Sequence, residues 1–135
     1  MNRANYSDDG GCDGWQLIMW RGAVASAIRG KRGQAFLREM LSVLDAMPVK
    51  RLIPEQLIEG GEVCALGAVG RARGVPLLDK IVPEDYERLA RVFGISQALV
   101  REIEYENDGG DYDFEVTPEQ RWDRVRRWVE ENIKP

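Results

Sequence analysis

Histidine is missing from this chain altogether. Its absence removes the side chain that most often serves as general base, the commonest metal ligand and any Ser-His or Cys-His nucleophile pair. Cysteine is almost as scarce. Cys12, in a polar stretch, and Cys64, in an apolar one, give neither a disulfide framework nor a metal-ligand spacing, and both read as free thiols. The remaining candidates for chemistry are Cys64 as a nucleophile and the carboxylates of Asp108 and Asp111. They have no base beside them in the pattern, and apolar surroundings raise a thiol's pKa. The expectation is a non-enzymatic protein with no cofactor and no metal. Long apolar runs are lacking too, so no stretch reaches the roughly 20 residues of a membrane span. The first residues, MNRANYSDDGGCDG, lack the basic-then-apolar pattern of a secretory signal, and the expected location is cytoplasmic. A net charge of -4 disfavours bulk attraction to nucleic acid or anionic membrane.

What is present suits one domain. At 135 residues, 44% hydrophobic and 31% charged, the chain is long enough to bury a core without metal or disulfide support. Residues 1–12 are polar and acidic and read as a flexible leader whose one anchor candidate is Tyr6; residues 13–135 read as a single helical domain. Its centre is Gly60 to Gly74, GGEVCALGAVGRARG, in which small residues surround Val63, Leu66 and Val69. As a helix this segment is thin enough for its neighbours to approach the backbone, which explains Gly67 and Gly70, each costing about 1 kcal/mol against alanine. Arg71, Arg73 and Gly74 make a sensible helix end.

Amphipathic segments flank this centre. Leu17, Trp20, Val24 and Ile28 share one face of a helix starting at Asp13; Phe36, Leu37, Met40, Leu41 and Leu44 share one face of a helix over 34–46. Gly30-Lys31-Arg32-Gly33 breaks the two apart. Residues 49–62 read as a connector with a short helix opened by Pro54. From Leu89 to Ile103, the spacing of Ala90, Gly94, Ile95, Val100 and Ile103 resembles a helix-turn-helix, with Ser96 capping the second helix. Thr117-Pro118-Glu119-Gln120 opens a last helix whose stripe is Trp122, Val125, Val129 and Ile133, with Arg121, Arg124, Arg126 and Arg127 to the flanks and outside. The fold class is all-α: a single compact domain of about five to six helices around a small-residue central helix, with a helix-turn-helix-like pair.

Charge marks the candidate surfaces. Between Arg21 and Arg38 there are five basic residues and no acidic one, a one-sign block in an acidic protein. Arg29, Lys31 and Arg32 are the candidates for contact with an anionic ligand or an acidic partner, with Gly30 and Gly33 letting backbone N–H groups approach it. Tyr6, Trp15 and Tyr105 are candidate aromatic anchors for a protein partner. The alternative is a nucleic-acid-binding regulator using the 89–103 pair or the basic 21–38 block. Against the pair stand six acidic side chains and only three arginines from Glu84 to Asn107, which a polyanion would meet. The acidic turn from Asn107 to Glu115 does not follow the register of a calcium loop.

The runs WRGAVASAIRGKRGQAFLREML, GEVCALGAVGRARG, FGISQALVREIEYEND and TPEQRWDRVRRWV together resemble a family of small uncharacterised bacteriophage and prophage proteins. Its central Gly-x-x-Cys-x-Leu-Gly, Gly61 to Gly67 here, also resembles a wider set of phage proteins that share a cysteine-leucine-glycine element and a later Asn-Asp. The resemblance implies a phage accessory role in the host cytoplasm, such as blocking a host defence system by occupying a surface, and carries over no catalytic residue.

Overall fold

The computed structural model describes residues 13–109 and 116–135 and, of Asp13 and Gly14, the backbone alone. Tyr6, Cys12, the side chain of Asp13 and the acidic Asp111, Asp113 and Glu115 lie outside the described residues. Among those described there are six α-helices and one two-stranded hairpin. They are α1 (Asp13–Arg29), α2 (Lys31–Ala46), β1 (Ile58–Glu59), β2 (Glu62–Val63), α3 (Ala65–Arg73), α4 (Tyr86–Phe93), α5 (Gln97–Asp108) and α6 (Pro118–Asn132). The all-α reading holds.

The break between α1 and α2 is one residue, Gly30, where four were expected. Gly33 lies in the first turn of α2 and is buried; a Cβ there would stand 1.8 Å from the carbonyl oxygen of Ala27. The missing side chain is what lets the corner fold this tightly. Gln34 then fastens it: its Nε2 donates to the carbonyls of Ile28 (2.7 Å) and Asn132 (3.0 Å), and its Oε1 accepts from the N–H of Lys134 (2.8 Å). One buried amide thus ties the ends of α1 and α6 to the start of α2. The expected stripe of α2 is buried at Phe36, Leu37, Met40 and Leu44 and half-buried at Leu41.

The connector forms no short helix. Ile58 pairs with Val63 and Glu59 with Glu62, and Gly60 and Gly61 make the turn at φ 60° and 83°. Two consecutive positive φ angles are what a two-residue hairpin of this hand requires, so the glycine pair ends a hairpin rather than starting the central helix. That helix is consequently shorter, nine residues, and buried from Ala65 to Gly70. Its first turn is capped by Cys64, whose Sγ accepts from the N–H of Gly67 at 3.3 Å. Gly74 closes it in the left-handed conformation. Arg73 does more than complement the helix dipole: its guanidinium lies 5.5 Å and 5.8 Å from the ring centres of Phe36 and Phe93 and donates to both carboxylate oxygens of Glu39. That bidentate pairing holds the Glu39 carboxyl below its ordinary pKa.

Packing distributes the centre over two helices. α3 lies against α2 and α5, while α5 also meets α1, α4 and α6. The helix-turn-helix spacing forms as expected, with Gly94 at φ 72° and the Ser96 hydroxyl accepting from the N–H of Leu99. α6 carries the full capping box of Thr117 and Gln120. On this helix Arg121 is buried rather than external.

Candidate functional site

Two places on the described surface stand apart from ordinary solvated helix. The first is the outer face of α1. Its inner stripe, Trp20 and Val24 with Ala27 and Ile28 beside them, packs on the core. The opposite stripe is apolar too: Trp15 is 66% exposed, Ile18 63% and Met19 57%. Gly22, Ala23 and Ser26 continue it, all exposed, and a Cβ at Gly22 would meet nothing within 4 Å. The face therefore offers three large apolar side chains followed by a flat, small-residue stretch that another backbone can approach. Single exposed apolar side chains are unremarkable; three within five residues on one helix form a patch.

This stripe runs into the basic corner. Arg21, Arg29, Lys31 and Arg32 are all exposed, and among the described residues no ion pair involves them. The glycine-lined anion loop expected here does not form: Gly33 is buried in α2, and the N–H of Gly30 donates to the carbonyl of Ser26. What remains is the start of α2, which has no capping side chain. Its first backbone N–H groups and the positive end of its dipole sit among Arg29, Lys31 and Arg32.

The structure thus brings Trp15, Arg29, Lys31 and Arg32 onto one helix face and the corner beyond it. Tyr105 is not with them. It is 5% exposed, on the buried side of α5, so it belongs to the packing and not to an outward contact surface. Ile18 and Met19 are the residues that spacing did not single out. The signal was the run Trp15 to Trp20, which supplies apolar residues to both faces of α1, more than one buried stripe can use. The second helix of the helix-turn-helix-like pair is deeply engaged: of α5 only Gln97 is exposed, and Leu99, Val100, Glu102, Ile103, Glu104, Tyr105 and Asn107 are buried.

The second place lies where the start of α3 meets α5. Asn107, buried, receives the N–H of Ala65 on Oδ1 (3.0 Å) and donates from Nδ2 to the carbonyl of Ile53 (2.9 Å) and to Asp108 Oδ1 (3.1 Å). Asp108 Oδ1 also accepts from the N–H of Glu55, which is held at φ 69°. So the Cys-x-Leu-Gly element and the later Asn-Asp are in direct contact: Asn107 binds the residue after Cys64, and Asp108 fastens the strand-side loop. Between them a small hollow is lined by Glu55, Gln56, Leu57, Cys64, Leu66 and Glu104, among others. Cys64 is poorly placed for nucleophilic work, since burial pushes its thiol up to about 12. Glu104 is 6% exposed, and among the described residues neither carboxylate oxygen has a hydrogen-bond partner. Burial, then Asp108 and Glu84, push it up to about 8. Its position was readable from helical spacing, four residues after Val100 and three before Asn107 on the buried side. No helix of the described residues is long and apolar enough to cross a membrane.

Comparisons with family models, with curated proteins and with solved structures give no match.

Proposed function

We propose that the protein acts by binding a partner protein and not by catalysis. The outer stripe of α1 receives the apolar face of a helix in that partner, and Arg29, Lys31 and Arg32, with the uncapped start of α2, receive its acidic side chains. The observation that carries this reading is the line of Trp15, Ile18 and Met19, through the small-residue stretch, to a corner of exposed cations that make no ion pair among the described residues. Apolar area supplies the attraction and a tryptophan supplies the anchor; the one-sign corner selects acidic partners and sets orientation. A second copy of this chain suits the surface less well, because it would bring the same positive corner. Occupying a surface in this way matches the accessory, blocking role that the phage-protein resemblance implies.

The test is a capture from lysate with the intact protein, followed by identification of the captured protein and titration of the purified pair. Trp15→Asp combined with Ile18→Asp is expected to weaken binding by at least about 30-fold, the equivalent of one hot-spot residue of roughly 2 kcal/mol. Reversing the corner with Arg29→Glu, Lys31→Glu and Arg32→Glu should weaken it as well and lessen its salt dependence. Val82→Asp, a control at another exposed apolar residue, should leave it unchanged. A partner held equally by the wild type and by the Trp15/Ile18 variant would overturn the proposal.

A further inference from the structure

The hairpin has two long edges, and only one of them is closed. On β2 the carbonyl of Val63 accepts the N–H of Ile53 at 3.0 Å, so the connector covers that side. β1 has no such cover. Cys64 donates its N–H to the carbonyl of Leu57 at 3.1 Å, and bonded and non-bonded pairs alternate along an antiparallel ladder, so the next pair, Ile58 with Val63, is a non-bonded one. The N–H and C=O of Ile58 therefore point away from β2, and among the described residues neither has a partner. A hollow of about 500 Å³ lies along this edge. Ile58 and Glu59 line it from the hairpin, Leu77 and Asp79 from the segment before α4, and neither residue of β2 borders it. Leu77 is unusual in itself: it is held at φ 58°, in the left-handed region that a bulky side chain avoids, and yet is 63% exposed, so no burial offsets the conformation.

We infer that the open edge of β1 receives an extended strand of another protein, one that alternates apolar with cationic side chains. The backbone of that strand supplies the C=O and N–H that Ile58 lacks, and the hollow gives it room. The pleat sets which side chain goes where. Ile58 shares one face of the hairpin with Val63, which is buried, so the incoming side chain beside Ile58 is apolar. Glu59 shares the other face with Glu62, two like charges directly opposite. Glu62 is answered by Arg51 at 3.3 Å, while among the described residues no ion pair involves Glu59. A lysine or arginine of the strand, next to Glu59, completes that cross-strand set. The other charges at the hollow keep this preference: Arg71 donates Nη1 to the carbonyl of Gly61, and Asp79 adds a second carboxylate, held only loosely by Lys80 at 3.8 Å. A second copy of this chain would bring its own Glu59 and Asp79 and suits the edge less well. The edge shares no residue with the outer face of α1 or the basic corner, so the two surfaces can be occupied independently.

The probe is the synthetic peptide acetyl-Val-Lys-Val-Lys-Val-amide, titrated into the whole isotope-labelled protein and followed by amide NMR. Two peptides serve as controls: the same sequence with glutamate for lysine, and the lysine peptide with its backbone nitrogens methylated so that it cannot pair as a strand. The lysine peptide is expected to give a saturating shift of the Ile58 and Leu77 amides, the glutamate peptide to bind several-fold more weakly, and the methylated one to give none. Ile58→Pro removes the outward N–H at an edge position, where proline is tolerated, and should keep the fold by circular dichroism while losing the saturating shift at Leu77. Should that variant fail to fold, Glu59→Lys on the exposed face should keep the fold and reverse the preference between the lysine and glutamate peptides. Equal binding of the methylated and unmethylated peptides, or the absence of a saturating shift at Ile58, would overturn the assignment. So would a shift at Ile58 that follows protein concentration alone, since it would give the edge to a second copy of the chain.

Discussion

Gly67→Ala is expected to destabilise the protein by roughly 3 to 5 kcal/mol, at the upper end of what one substitution does. The added methyl would stand 1.8 Å from the carbonyl oxygen of Leu57 and 2.8 Å from its carbon. Neither atom can retreat. That oxygen accepts the N–H of Cys64 at 3.1 Å, the Leu57 side chain is buried, and the hairpin begins at the next residue. Gly70→Ala is the internal comparison. There the methyl meets Cδ2 of Leu78 at 2.8 Å, the far end of a flexible side chain. Alanine also gains about 1 kcal/mol of helix propensity, so the net change should stay within about 1 kcal/mol. Urea unfolding of the two variants checks this: a midpoint for Gly67→Ala equal to that of the wild type would mean that α3 and the hairpin do not approach as described.

Glu104→Gln should have the opposite sign, and only at one end of the pH scale. The wild-type carboxyl rises from 4.5 to about 8, first because it is buried and then because Asp108 and Glu84 lie near, with Arg101 opposing. A raised carboxyl favours the protonated folded state. Its contribution is therefore whole below about pH 4.5 and is lost progressively as pH climbs towards 8. Across that window the loss is on the order of 4 kcal/mol. Glutamine does not titrate, so the variant should match the wild type near pH 4.5, exceed it by several kcal/mol above pH 8, and show a flatter profile between. Unfolding curves across this range measure it. A wild-type profile no steeper than that of the variant would show that Glu104 ionises normally.

Periodicity and punctuation carried most of the fold. The buried faces of α1, α2 and α6, the cap at Ser96 and the capping box at Thr117 are local signals, each satisfied within a few residues, and so they were legible. Tight approaches were legible only in kind. Gly67 announced close packing, but that its neighbour would be the Leu57 carbonyl depends on the hairpin, and Gly60-Gly61 was readable either as a helix flank or as a turn. The break at residues 30–33 misled because its two glycines do different jobs: Gly30 makes the corner, while Gly33 lets it close. At the surface, Trp15 and the basic corner could be named from residue type alone. Tyr105 could not be placed, because a tyrosine three residues from the end of a helix fits either face equally well; contact with four other helices makes α5 a core element. Asn107 joined to Ala65 and Ile53 is a long-range pairing, which no local pattern contains.

The uncovered face of α1 also gives the protein an optical handle. Of the four tryptophans, Trp20 is buried, Trp122 and Trp128 are half-buried, and the indole N–H of Trp122 donates to the carbonyl of Leu44 at 3.2 Å beneath Lys50. Trp15 alone stands in bulk solvent, so dissolved acrylamide quenches it first, and its long-wavelength emission is the component that moves when the face is covered. Occupancy of α1 is readable from native fluorescence, without a dye and without altering a residue.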